Sequence, residues 1–392
     1  MTHSTTRRPA VSSRAAALQA NSLSDLLLLA RERGAIDLAL GTPGYPEPAP
    51  DLIEAAHEAM RSGRNQYEHP SGDLVLRERI AATLRPPADP ETELTVTVGA
   101  TEALCVALLS TVDPGDEVVL LDPGYEQFRA AIALSGAIPR FVPLHAPDWR
   151  FDPDELAAAF TSRTRAVLLN SPGNPTGRVL TRQELDWIAE LAERWDATVI
   201  CDEVYGSFVF DGREPTSVTE VPGLAGRGIV VGSLSKSHAI SGWRIGFLRA
   251  DPARTEVLRR VHEVTTLGAA APLQVAVGLK ALSADLKAAG AEMERRRDQA
   301  LEIFTRMGMK ITPAEGGCFL FADISPLTGG RLDSRAFAHE LLERTGVLVV
   351  PAGPCFADPA RGGQYVRIAF NRRAELLSEV ERRILGARSA DE

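Results

Sequence analysis

The chain has 392 residues, 44% apolar and 24% charged, with a formal net charge of -9. Those values belong to a soluble globular protein of about two or three domains. The acidic balance excludes a broad nucleic-acid surface, which needs clustered excess Lys and Arg. With no run of about 18 or more apolar residues, no segment is predicted to span a membrane.

The opening MTHSTTRRPAVSSRAAALQ is Arg- and Ser-rich and is read as a disordered tail over residues 1–20, although its texture resembles a transit peptide. SLSDLLLLARERGA predicts a helix over 22–33, and DLALGTPGYPEPAP a Pro/Gly loop. PDLIEAAHEAMRSG and GDLVLRERIAATLR are amphipathic helices on either side of NQYEHPSG. From about residue 94, apolar runs alternate with helical patterns. The runs are TVTVG (95–99), EVVLLDP (117–123), AVLLNSP (166–172), TVICDEV (198–204), GIVVGSLS (228–235) and IGFLRA (245–250). This spacing predicts an α/β fold with a mostly parallel sheet covered by helices on both faces. Asn170, Asp202 and Ser233 end predicted strands, the edge at which open α/β sheets bind ligands. Beyond about residue 285, a long charged helix, short strands and two further helices predict a smaller α+β domain.

Cys105, Cys201, Cys318 and Cys355 are widely spaced and form no CxxC pair, which points away from zinc or a disulfide framework and toward a reducing, cytoplasmic setting. Cys105 and Cys201 lie in apolar runs and are predicted to be core. Neither GxGxxG nor GxxxxGK[ST] occurs.

Only four of the 43 basic residues are lysine, one of them Lys236 in SLSKSHAISGWRIGF. Lysine can shed its proton when desolvated and act as an amine nucleophile, which arginine cannot. A Schiff base between Lys236 and pyridoxal phosphate would need a carboxylate on the ring nitrogen and a phosphate cradle. Asp202 can supply the first. The turn Gly99, Ala100 and Thr101 before a helix, with Ser233, Ser235 and Arg244, can supply the second.

From about Leu38 to the C-terminus, the chain resembles the class I/II aminotransferases, pyridoxal-phosphate enzymes of fold type I. The resemblance rests on Ser233-Leu-Ser235-Lys236 with Gly242 and Arg244, on Asn174-Pro175-Thr176-Gly177, and on Asp202-Glu-Val-Tyr205. It implies that Lys236 carries the cofactor, Asp202 meets its ring nitrogen, and Asn174 and Tyr205 meet its 3-hydroxyl. Tyr125 in DPGYEQF stacks on the ring. Ala100, Thr101, Ser233, Ser235 and Arg244 hold the phosphate, with Gly242 a point of close backbone approach. Tyr67 reaches the phosphate of a neighbouring subunit, implying a homodimer with shared sites. Arg367 in YVRIAF, Gly41 and Asn174 hold the substrate α-carboxylate. The implied domains are an N-terminal arm over 21–45 contributing to the small domain, a large cofactor-binding domain over 46–284, and a small domain over 285–392.

The implied activity is ping-pong transfer of an amino group from an L-amino acid to a 2-oxo acid. A lyase or oxidase on the same fold is the alternative. Two segments depart from the family pattern: PAGPCFADPARGG ahead of Arg367, and Cys318. VTTLGAAAPLQ lacks the arginine with which aspartate-type relatives bind a second carboxylate, though Arg64 or Arg31 could substitute. The expected substrate is therefore a neutral, aromatic or guanidino amino acid of specialised metabolism. Glu47 and Glu315 are candidates for meeting a guanidino group, against the alternative that both are solvated loop carboxylates.

Overall fold

A computed structural model describes residues 11–16, 18, 24–280 and 286–388. Most of the tail assigned to residues 1–20 lies outside them. Within it, Ser13–Ala16 form a helical turn. The strands in chain order are β1 (Ile36–Asp37), β2 (Leu94–Val98), β3 (Glu117–Asp122), β4 (Ile138–Pro143), β5 (Thr164–Asn170), β6 (Thr198–Asp202) and β7 (Gly228–Ser233). They continue with β8 (Ile245–Arg249), β9 (Lys310–Ile311), β10 (Phe319–Asp323), β11 (Val347–Leu348), β12 (Val350–Pro351) and β13 (Tyr365–Ala369).

Seven strands form the main sheet in the order β2-β8-β7-β6-β5-β3-β4. β3 to β7 pair in parallel, and β8 runs antiparallel to both its neighbours. β6 and β7 are buried along their whole length, which is why they read as continuous apolar runs without alternation. β4 was not predicted. IPRFVP contains two prolines and an arginine, which only an edge position tolerates, and there it pairs with β3 alone.

The covering helices form where period-3.6 apolar spacing meets a cap. Arg182–Arg194 starts at a capping box in which the Thr181 hydroxyl accepts from the Glu184 amide while Glu184 accepts from the Thr181 amide. Its buried face of Leu185, Ile188, Ala189 and Ala192 contributes roughly 1.5–3 kcal/mol for each large side chain. Thr181→Ala would remove about 1 kcal/mol.

A second, antiparallel sheet has the order β12-β13-β10-β9. Leu320 and Ile368 of this sheet pack with Phe304, Leu341 and Val380 from the helices Leu286–Met307, Ser334–Thr345 and Ala374–Arg388. The same core takes in Leu26 and Ala30 of the helix Ser24–Glu32, together with Leu38. β1 pairs with β11, Ile36 opposite Val347. The N-terminal segment is thus fastened to the C-terminal part of the chain, which brings residues 37–44 beside residues 367–372.

Candidate active site

The carboxyl ends of the parallel strands make the floor of a cavity of about 360 Å³. Asn170 ends β5, Asp202 ends β6 and Ser233 ends β7. Arg244 precedes its strand rather than following it. Because β8 is reversed, its start lies on the same edge, with Ile245 opposite Val98 and Gly246 opposite Ser233. Ala100, Thr101, Tyr125, Asn174, Tyr205, Ser235, Lys236, Gly41 and Arg367 also line the cavity. Tyr67, by contrast, does not line it and is 88% exposed.

Bonds among these groups fix their directions. The Lys236 Nζ donates to the Gly41 carbonyl at 2.8 Å. Asn170 Nδ2 donates to the Asp202 carbonyl at 2.8 Å, and Asn170 Oδ1 accepts from the Asn174 amide at 2.7 Å, so one strand-end amide ties two loops together. The Ser233 hydroxyl bonds to that of Ser235 at 2.8 Å and accepts from the Ser235 amide at 3.1 Å. Arg367 Nη1 donates to Asn174 Oδ1 at 2.9 Å, its guanidinium lies 4.4 Å from the Phe319 ring centroid, and its buried Nε has no hydrogen-bond partner among the described residues.

The phosphate end is shaped by two glycines. Gly99 has φ +72, and a Cβ there would run into the Arg244 guanidinium; a Cβ on Gly246 would come within 2.5 Å of the Gly99 carbonyl carbon. Arg244 itself has φ 56, a left-handed conformation uncommon outside glycine that aims its side chain back over the turn. At Gly242, expected to be a point of close approach, a Cβ would meet no protein atom within 4 Å. The crowding falls four residues later because it comes from β8 packing against the turn.

Burial dominates the electrostatics. It pushes the Asp202 carboxyl up to about 7, against the lowering effects of the Val204 amide bond and Lys236. It lowers the Lys236 amine, which shifts it toward the neutral form. Tyr125 is pushed up to about 12 and Tyr205 well above its ordinary 10, in both cases mainly by burial, so both keep their hydroxyl protons.

This donor set fits pyridoxal phosphate. The Asp202 carboxylate is buried, accepts a hydrogen bond from the Val204 amide and has no ion pair among the described residues, so a cationic ring nitrogen would meet an unmet need. The Cβ-free Gly99 turn, the amides opening the helix Gly99–Leu109, the two serines and Arg244 form a cradle of donors suited to phosphate.

The substrate wall contains residues that the sequence reading missed: Leu27 and Leu40 from the N-terminal segment, Gln127 and Phe128 from the helix Glu126–Ser135, and Phe319. Phe319 also explains Gly41, since a Cβ at that position would come within 2.6 Å of its ring. Nothing local in the sequence marks Leu27 or Leu40.

Neither candidate for meeting a guanidino group is free to do so. Glu315 accepts from Arg178 Nη1 at 2.7 Å and from the Val179 amide at 2.9 Å, with Arg213 at 3.4 Å. Glu47 pairs with Arg373 at 2.9 Å, and neither carboxylate lines the cavity. Arg64 pairs with Glu68 and Asp73, and Arg31 is an exposed residue of the helix Ser24–Glu32. Of the two cysteines expected in the core, Cys201 is buried and Cys105 only partly so. Cys318 packs with Tyr205 and Phe319. The altered loop ahead of Arg367 is anchored to the end of β3: Asp122 accepts from the Ala357 amide at 2.6 Å and from Arg361 at 2.9 Å. Among the described residues there is no metal-binding cluster, and no helix is long and apolar enough to cross a membrane.

Comparison with known proteins gives the family and the fold. Residues 33–384 match the family described as "Aminotransferase class I and II". The chain is 37% identical over 379 residues to the probable N-succinyldiaminopimelate aminotransferase DapC of Mycobacterium tuberculosis, covering 92% of this chain and 94% of that one. It is 36% identical to the arginine–pyruvate transaminase AruH of Pseudomonas aeruginosa, covering 88% of each. The solved structure of the M. tuberculosis N-succinyldiaminopimelate aminotransferase superposes with a TM-score of 0.90 at 36% identity, over 96% of this chain and 100% of that one.

Proposed function

This chain belongs to the class I and II aminotransferase family and is a pyridoxal-phosphate-dependent transaminase; from that premise we propose that its amino donor is a neutral amino acid with an apolar or aromatic side chain. The observation that carries this reading is the cation count on the cavity lining. Among the described lining residues the cations besides Lys236 are Arg244 and Arg367, and Arg244 is the one we assign to the phosphate. One fork remains for the substrate, enough for the α-carboxylate, and the nearby wall is mainly Leu27, Leu40, Phe128 and Phe319, with Glu126 and Gln127 beside them. Burying a side-chain carboxylate against such a wall without a partner would cost several kcal/mol, and the Glu126 carboxylate on the same lining adds like-charge repulsion.

In this reading Arg367 grips the substrate carboxylate with Asn174 beside it, and the Gly41 backbone closes over it. The bound cofactor supplies an electron sink for the charge developing at the substrate Cα. Lys236, made less basic by burial, takes the proton from that carbon through Nζ, a positioned transfer of a kind that gives ~10²–10⁴-fold. Asp202 holds the proton on the ring nitrogen, Tyr205 and Asn174 hold the 3-hydroxyl, and Tyr125 stacks on the ring. Ala100, Thr101, Ser233, Ser235 and Arg244 hold the phosphate.

We further assign a homodimer and a cytoplasmic location. The dimer is supported by Tyr67, which is 88% exposed, and by Ile53 and Leu279, exposed apolar residues of two helices that pack together. The location is supported by four free cysteines, three of them buried. The division at about residue 285 is supported by the second sheet, all four strands of which come from beyond that point, although Phe208 and Phe210 pack into its core.

The substrate reading is tested by mixing holoenzyme with single amino acids, without a 2-oxo acid, and following the absorbance of the bound cofactor. Methionine, leucine and phenylalanine should convert it at least about tenfold faster than aspartate, glutamate or arginine, a difference of about 1.4 kcal/mol. Fastest conversion by aspartate or glutamate would sink the proposal, and fastest conversion by arginine would restore a guanidino substrate.

A further inference from the structure

Behind the Gly41 loop lies a buried cation that lines no part of the substrate cavity. Arg372 is 5% exposed and forms no ion pair with a carboxylate among the described residues. Its guanidinium is held by main-chain carbonyls instead: Nε donates to Asp37 at 2.8 Å, Nη2 to Leu40 at 2.6 Å and Nη1 to Thr42 at 3.0 Å. Nη1 also donates to Asn371 Oδ1 at 2.5 Å. Asn371, 1% exposed, sends its Nδ2 to the Gly41 carbonyl at 3.2 Å, while its own carbonyl accepts from the Gly44 amide at 2.9 Å. The Gly41 oxygen is the same atom that accepts from Lys236 Nζ.

The two side chains therefore grip the carbonyls of Asp37, Leu40, Gly41 and Thr42. An apolar side chain could fill the space behind a loop without the desolvation cost of a guanidinium. What a forked, planar cation adds is direction, since each N–H fixes the orientation of one peptide.

We propose that Arg372 and Asn371 are positioning residues that hold the Gly41 carbonyl as the docking point for Lys236 Nζ while that amine moves the substrate proton. The inference rests on the assignment of Lys236 as the acting amine made above. Neither residue lines the cavity; both act through the Gly41 peptide.

The test uses holoenzyme carrying Arg372→Lys or Asn371→Ala. It compares kcat, KM, the primary isotope effect with Cα-deuterated donor, the pH profile of kcat, cofactor content and thermal midpoint. Positioning predicts that kcat falls on the order of tenfold while KM moves by less than about threefold, because a small misplacement of a reacting group weighs on the chemical step. The isotope effect should rise. The acidic limb of the kcat profile should move to lower pH, since a lysine deprived of its acceptor loses a bond that favours the ammonium form. Unchanged kcat, isotope effect and pH limb in both variants would overturn the proposal. So would a loss of kcat fully reversed by excess cofactor, which would mark a purely structural role. If Arg372→Lys does not fold, Asn371→Ala decides alone, because it leaves the three other carbonyl bonds in place. Turnover surviving in Lys236→Ala would refute the underlying assignment and overturn this proposal with it, whereas turnover lost there but unchanged in both clamp variants would overturn the proposal alone.

Discussion

The cavity floor takes Asn170, Asp202 and Ser233 from the ends of three adjacent parallel strands, whereas its wall takes Leu27, Leu40, Phe319 and Arg367 from segments near opposite ends of the chain. On the floor, the sheet alone sets the spacing of the functional groups. On the wall, spacing depends on the pairing of β1 with β11 and on the grip of Arg372 on the 37–42 peptides. The difference teaches where each kind of change should act. Floor substitutions should alter chemistry and cofactor electrostatics, and wall substitutions should alter which substrate is held and how well it is aligned.

The largest effect is expected on the floor. Asp202→Asn removes the carboxylate proposed to keep the ring nitrogen protonated, and kcat should fall by roughly 10³-fold, as when a preorganised electrostatic partner is lost. Stability should move the other way. Burial holds the Asp202 carboxyl near 7, above its ordinary 3.8, so the cofactor-free folded chain keeps a proton that the unfolded chain has shed. Its stability therefore falls as pH rises from about 4 to 7, by on the order of 4 kcal/mol through this group. Glu203, also raised to about 7 by burial, adds a similar slope. Cofactor-free Asp202→Asn should then have a higher thermal midpoint than the parent at pH 8, with the difference vanishing near pH 4. An equal pH slope in the two proteins would contradict the assignment.

On the wall, Arg367→Ala should lower kcat/KM by about 10²-fold, carried mostly by KM, since truncating one partner of a buried charge pair costs about 2–5 kcal/mol. Arg367→Lys should recover only part of it, having lost the fork. A larger effect on kcat than on KM would place Arg367 with the floor. The smallest effect is expected at Glu47, which pairs with Arg373 at the surface. Glu47→Gln should leave the preference among amino acids unchanged within about twofold. A selective loss of arginine as donor would reinstate it as a substrate contact.

The floor was legible in the sequence for the same reason that it is robust. A buried parallel strand reads as an apolar run, and the polar residue that closes it marks the functional edge, as at Asp202 and Ser233. The reversal of β8 left no trace in IGFLRA, because an apolar run carries no direction. The edge strand β4 was hidden by its prolines. Gly242 drew attention by its spacing from Lys236, while the crowding that excludes a side chain falls on Gly99 and Gly246, where two segments distant in sequence cross. Glu315 could be read only as a loop carboxylate until folding showed it paired with Arg178, 137 residues away. Leu27, Leu40 and Arg372 are ordinary in sequence and gain their roles from tertiary contact alone.

The account depends most on which amine holds the cofactor. Reduction of the holoenzyme with borohydride, followed by proteolysis and mass spectrometry, would identify that residue without altering the protein. The cofactor's mass should be found on the peptide containing Lys236. Its recovery on Lys280, Lys287 or Lys310 would contradict the account.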